Sequence, residues 1–206
     1  MTDRRGLPTI PGPGPGEKGQ VTATVARMRI LIVCLGNICR SPLAQAVLRQ
    51  ELDAAGVGDR VVVDSAGTGD WNIGKPPDPR MKAAASAAGI DIDHIARQIT
   101  AEDLAQSDLI LVMDSENLRD VRVLAPDAQT REKVALFLSY ADQPDTDVPD
   151  PYNAGDEEFT HVVSLVRDAA RTIAGRLAAS LGGAGQNSGL GDGSPGIGAG
   201  PGSGVG

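Results

Sequence analysis

The sequence predicts an α/β fold: a single domain built on a four-stranded parallel sheet with helices on both faces, flanked by disordered tails. Two observations carry this. From Met28 onward, short continuous apolar runs alternate with stretches of helical periodicity, the pattern of strands buried on both faces and joined by helices. The 26 glycines of the 206 residues are concentrated before residue 28 and from residue 182 on, which leaves a middle of ordinary composition. The expected divisions are a Gly/Pro-rich tail over 1–27, the folded domain over 28–181 and a Gly-rich tail over 182–206.

Residues 30–33 are the first strand. Ser41-Pro42 then opens a helix, since Pro suits a first helical turn. Leu43, Val47, Leu48 and Leu52 recur at helical spacing, and Gly56 suits the stop. Residues 61–63 are the second strand, and 81–88 a helix closed by Gly89. A third strand is expected over 109–113, a helix over 115–124 and a fourth strand over 134–138. Phe159, Val162, Val163, Val166, Ala170, Ile173, Leu177 and Leu181 mark a long amphipathic helix at the end of the domain. Residues 6–20 alternate Gly and Pro and cannot offset the entropy of ordering themselves. Met28 stands directly before the first strand, so it is a candidate natural start.

Composition excludes several classes. With 19 basic against 27 acidic residues and a net charge of −8, the footprint of a nucleic-acid binder is missing. No stretch approaches the ~20 apolar residues that span a bilayer. The N-terminus lacks the apolar core of a secretory signal, so the expected location is cytoplasmic. Two cysteines, Cys34 and Cys39, make no disulfide framework. Neither His94 nor His161 has metal-ligand company, so no metal or cofactor is expected.

Parallel sheets bind ligands beyond the carboxyl ends of their strands, which directs attention to the loop after the first strand. It reads Cys34-Leu35-Gly36-Asn37-Ile38-Cys39-Arg40-Ser41-Pro42. In a strand-to-helix turn, backbone N–H groups converge into an anion nest, strengthened by the positive end of the following helix. Gly36 and Asn37 tolerate the positive φ that such a tight turn needs. Arg40 offers a planar fork to two phosphate oxygens. Cys34 at the floor is expected to be a thiolate able to attack phosphorus, with Ser41 donating its hydroxyl to the sulfur. A cysteine and an arginine at this spacing are common by chance; their place between a strand and a Ser-Pro helix start makes the loop specific.

These residues resemble the signature loop of the low molecular weight protein tyrosine phosphatases almost letter for letter. The resemblance covers roughly residues 28–181. Further matches follow in order: Asp64-Ser65-Ala66-Gly67-Thr68, Asp70-Trp71-Asn72-Ile73-Gly74, Pro77-Asp78-Pro79-Arg80, His94-Ile95-Ala96-Arg97-Gln98, Met113-Asp114 with Asn117-Leu118-Arg119, and Asp150-Pro151-Tyr152.

Loss of a tyrosine leaving group requires a proton donor. Asp142, Asp145, Asp147 and Asp150 crowd one loop, and residue types alone do not choose among them. The resemblance implies Asp150 as general acid and base, with Pro149 and Pro151 stiffening its backbone. Trp71 and Tyr152 are aromatic rings on predicted loops, which suits either a slot for an aromatic substrate or anchoring on the core. The resemblance favours the slot. It also implies that Asn37, Ser41, Ser65 and His94 form a hydrogen-bond network under the phosphate loop. Where many relatives carry a second Tyr, this chain has Asn153. Cys39 reads either as a packed thiol or as the partner of Cys34 in a reversible disulfide under oxidant.

The expected activity is hydrolysis of protein phosphotyrosine through a cysteinyl-phosphate, with phosphotyrosine-bearing proteins as partners. An arsenate reductase or a phosphoarginine phosphatase on the same fold are the nearest alternatives. Thioredoxin-coupled reductases resemble this loop but need more cysteines than Cys34 and Cys39. The arginine-specific relatives have Thr where Ile38 stands. A non-catalytic phosphate-binding module is the alternative of another class, and it predicts a missing nucleophile or acid.

Overall fold

The structure is a computed structural model that describes residues 27–143 and 146–182. Most of the two expected tails, and Asp145 of the acidic loop, lie outside the described residues. Four parallel strands form one sheet in the order β2-β1-β3-β4. They are β1 (Met28–Cys34), β2 (Val61–Gly67), β3 (Leu109–Val112) and β4 (Val134–Leu136). In register, Met28 pairs with Val61 and Cys34 with Gly67, so the first two strands end level.

The helices are α1 (Arg40–Ala54), α2 (Pro79–Ala87), α3 (Ala101–Gln106), α4 (Ser115–Leu124), α5 (Ala128–Glu132), α6 (Phe137–Tyr140) and α7 (Asp156–Gly182). The period-2 alternation of β1 divides the core. Ile30, Ile32 and Cys34 join one cluster with α1, α2 and α7 residues such as Leu48, Met81, Phe159 and Ile173. Leu31 and Val33 join a second cluster with Leu104 of α3 and Val121 of α4. Helices therefore cover both faces, as the apolar strands require.

Several expectations shift in detail. The second strand runs four residues beyond its apolar run, to Gly67, because its end pairs with the buried end of β1. The fourth strand is corrected: it stops at Leu136, and the run continues as α6. Phe137, Leu138 and Tyr140 are buried in the α7-side core, and a short apolar run does not by itself distinguish a strand from a buried helical turn. Short α3 and α5 had no apolar periodicity to announce them. α3 is held instead by a capping box between Thr100 and Asp103. α7 includes Gly182, one residue past the expected end of the domain. Among the described residues, no helix is long and apolar enough to cross a membrane.

Chain order around the sheet sets the position of the site. From β1 the chain moves to β2 on one side, then crosses to β3 on the other. The carboxyl ends of β1 and β3 thus flank a topological switch point, the crevice where doubly wound sheets bind ligands.

Candidate active site

Residues 34–40 wrap from the end of β1 into α1 at this switch point. Asn37 sits at φ 53°, a left-handed backbone that its short polar side chain tolerates. The turn brings the Asn37 N–H to the Cys34 Sγ at 3.3 Å, and the Ser41 Oγ lies 3.0 Å from the same sulfur. Gly36 is needed for close approach: a Cβ there would lie 2.8 Å from Asn72 Nδ2, which donates to the Gly36 carbonyl at 3.3 Å.

A buried network fixes this loop from below. Asn37 Nδ2 donates to Ser41 Oγ at 2.9 Å and to Ser65 Oγ at 3.0 Å. Ser65 Oγ donates in turn to Gln45 Oε1 at 2.6 Å. Asn37 Oδ1 accepts the Arg97 N–H at 2.9 Å and lies 2.8 Å from His94 Nε2. A backbone N–H can only donate, so the Asn37 oxygen faces both groups and His94 Nε2 must carry a proton. Burial holds the His94 imidazole below its ordinary pKa, and that outweighs the charge of Asp64. The ring is therefore the neutral tautomer protonated on Nε2. Since Ser41 Oγ already accepts from Asn37, its own proton is directed at Cys34 Sγ or, less closely, at the Ala66 carbonyl 3.4 Å away.

Arg40, the first residue of α1, is only 3% exposed. Its Nη1 donates to Asp114 Oδ2 at 2.7 Å and to the Val148 carbonyl at 3.1 Å, and its Nη2 to Asp150 Oδ2 at 2.7 Å. Burial opposes the guanidinium charge, but Cys34, Asp150 and Asp114 together raise its pKa above the ordinary value. Cys39 is the contrast: burial, then the charges of Asp78, Cys34 and Asp150, push its thiol strongly upward. It is a packed thiol in the α1 side of the core, and both cysteines are free.

Cys34, Leu35, Gly36, Ile38, Cys39, Arg40, Trp71, Asp150 and Tyr152 all line one cleft of about 360 Å³, and Trp71 and Tyr152 among them are exposed. Asn37, Ser41, Ser65 and His94 lie beneath it. The structure thus brings together every residue singled out for the site. It adds Asp114, Gln45, Asn72 and Lys75. Asp114 was legible in principle as a residue near the site, because it lies two residues past the end of β3 at the ligand-binding edge, although its contact with Arg40 was not. Gln45 was equally so, one helical turn beyond Ser41. Lys75, whose Nζ donates to Asn72 Oδ1 at 3.0 Å, had no signal of its own. Among the described residues, no cluster of three or more His, Cys, Asp or Glu side chains could hold a metal ion.

A doubly wound sheet carrying an anion-shaped loop, a buried arginine and a facing carboxylate at its switch point has the build of a phosphatase. The chain belongs to the low molecular weight phosphotyrosine protein phosphatase family, whose model matches residues 29–182. It is 44% identical over 145 residues to a low molecular weight protein-tyrosine-phosphatase of Streptomyces coelicolor, covering 69% of this chain and 88% of that one. It is 43% identical over 141 residues to the human low molecular weight phosphotyrosine protein phosphatase, covering 68% and 89%. The crystal structure of a protein tyrosine phosphatase from Entamoeba histolytica superposes with a TM-score of 0.70 at 32% identity, covering 73% of this chain and 96% of the other. As a member of this family, the protein is a hydrolase of the protein-tyrosine-phosphatase class.

Proposed function

We propose that the protein hydrolyses phosphotyrosine in phosphoproteins through a cysteinyl-phosphate, with Cys34 as nucleophile, Arg40 as phosphate clamp and Asp150 as general acid and base. In the first step the Cys34 sulfur forms a bond to phosphorus while the bond from phosphorus to the tyrosine oxygen breaks. Protonated Asp150 gives its proton to that oxygen. In the second step water attacks phosphorus, Asp150 takes the water proton, and the S–P bond breaks to release phosphate. The Ser41 hydroxyl, 3.0 Å from the sulfur, stabilises it as leaving group. The Arg40 fork and the loop amides hold the equatorial oxygens throughout.

The observation that carries this reading is the Arg40 contact with Asp150 at 2.7 Å across the mouth of the loop that holds Cys34. An arriving phosphate dianion competes for the same guanidinium edge and releases Asp150 toward the leaving oxygen. The cleft walls support an aryl substrate. Trp71 and Tyr152, 58% and 50% exposed, line the cleft together with Ile38 and Leu35. That apolar slot fits a phenyl ring better than an arginine side chain or free arsenate.

The Cys34→Ser variant tests it. This variant is expected to lose hydrolysis of a chromogenic aryl phosphate while still binding inorganic phosphate, measured by calorimetry. Full turnover in that variant overturns the assignment of the nucleophile.

A further inference from the structure

Asp150 is anchored on two sides, and only one anchor belongs to the groups described so far. Upstream, the Val148 N–H donates to the Met113 carbonyl at 2.7 Å, and Arg40 reaches the Val148 carbonyl. Downstream, the chain is held by Arg80. Its Nη2 donates to the Tyr152 carbonyl at 3.1 Å, and its guanidinium lies 5.5 Å from the Tyr152 ring centroid and 4.6 Å from that of the buried Phe159 in α7. Tyr152 in turn donates its N–H to Asp150 Oδ1 at 3.1 Å, so the orientation of the carboxyl depends on where Tyr152 is held.

The same guanidinium is tied to the phosphate loop. Arg80 Nε and Nη2 form a fork on Asp78 Oδ1 and Oδ2 at 3.1 and 2.9 Å. Asp78 is only 8% exposed, and its N–H donates to the Ile38 carbonyl at 2.8 Å. The path therefore runs from Ile38 through Asp78 and Arg80 to Tyr152 and Asp150. An exposed ion pair alone contributes little. This one is bidentate, rests on a buried carboxylate, lies near two aromatic rings and also holds a backbone carbonyl.

We propose that Arg80 is a positioning residue for catalysis, a strut that sets the Asp150 carboxyl at a fixed place above the phosphate loop. The proposal rests on the reading of Asp150 as general acid. It gives a role to the Pro77-Asp78-Pro79-Arg80 stretch, which the phosphate chemistry leaves unused. Substitution of the side chain leaves the helix start intact, because Asp78 Oδ1 caps α2 through the backbone N–H of residue 80.

The test uses the leaving group as its readout. Phenolate is expelled poorly without a proton, whereas dinitrophenolate leaves unprotonated, so displacement of the acid slows phenyl phosphate selectively. In Arg80→Met the ratio of kcat/KM for dinitrophenyl phosphate to that for phenyl phosphate is expected to rise about tenfold over wild type, within the ~100-fold or more that a general acid supplies. Arg80→Lys keeps the charge but loses the fork, and should fall between the two. Asp150→Asn should raise the ratio most. The double variant Arg80→Met with Asp150→Asn should match Asp150→Asn alone, since the strut acts through that carboxyl.

A general loosening of the fold would lower both substrates in proportion and leave the ratio unmoved. An unchanged ratio in Arg80→Met beside a raised one in Asp150→Asn overturns the strut alone. Additive increases in the double variant overturn it too. A flat ratio in Asp150→Asn overturns the acid assignment, and the strut with it.

Discussion

His94 shows how one side chain converts burial into loop geometry. Its Nε2–H donates to Asn37 Oδ1, and Asn37 holds Ser41 and Ser65 with its other end. Because burial depresses the imidazole pKa, the native state resists taking up a proton that the unfolded chain accepts at its ordinary value of about 6.5. The sign follows. Above that pH both states are neutral, and the His94 contribution does not vary. Below it the unfolded chain binds the extra proton, and stability falls until the native pKa is reached. His94→Gln retains an N–H donor and removes the titration. Denaturant midpoints measured from pH 7 to pH 5 are therefore expected to fall less steeply in the variant than in wild type. Equal slopes would count against a buried neutral ring. The role of His94 was legible only through the family pattern, because a lone histidine carries no spacing. Asp114 shows the opposite failure. It lay within a matched stretch, but its job is to hold Arg40 across 74 positions of sequence, and no local pattern reveals such a contact.

Among the helices, α1 and α7 were read from their apolar periodicity, whereas the short α3, α5 and α6 were not. α1 follows from its spacing, and the helix expected over 115–124 is α4 to the residue. The strand expected over 134–138 failed because the same apolar residues serve a strand end and a buried helical turn equally well. What decided it was the α7 face beneath, which takes Phe137, Leu138 and Tyr140 into the core. α1 and α7 form the main layer on that face. Leu48 of α1 is fully buried there with Ile173 and Leu177 of α7. Leu48→Ala removes three buried carbons and leaves a cavity between rigid helices, a loss of about 2–5 kcal/mol. The expected result is a lower denaturant midpoint at unchanged slope, since the surface exposed on unfolding stays the same. A stability loss below ~1 kcal/mol would mean that α7 slides to fill the space.

For the molecule as a whole, the active site is the place where distant parts of the fold meet, so its occupation and its stability are linked. Cys34 ends β1, Ser65 lies in β2, Asp114 follows β3, and Asp150 lies on the stretch before α7. Arg40 binds the last two through 2.7 Å contacts. The unfolded chain has no such convergence, so an oxyanion that binds the loop binds the native state alone. Phosphate at 100 times its dissociation constant then stabilises by about 2.7 kcal/mol. For a chain of this size that is a rise of roughly 5–10 °C in the thermal midpoint. Phosphate also stabilises proteins without a site, by exclusion from their surface, and Arg40→Met separates the two effects. This variant loses the fork that meets the anion, so its midpoint should show only the general rise, while wild type shows that rise plus the specific part. Cys34→Ser keeps the loop amides and Arg40, and should follow wild type. If wild type and Arg40→Met climb in parallel as phosphate is added, the loop does not hold the anion through Arg40, and the convergence at the switch point serves the architecture rather than the ligand.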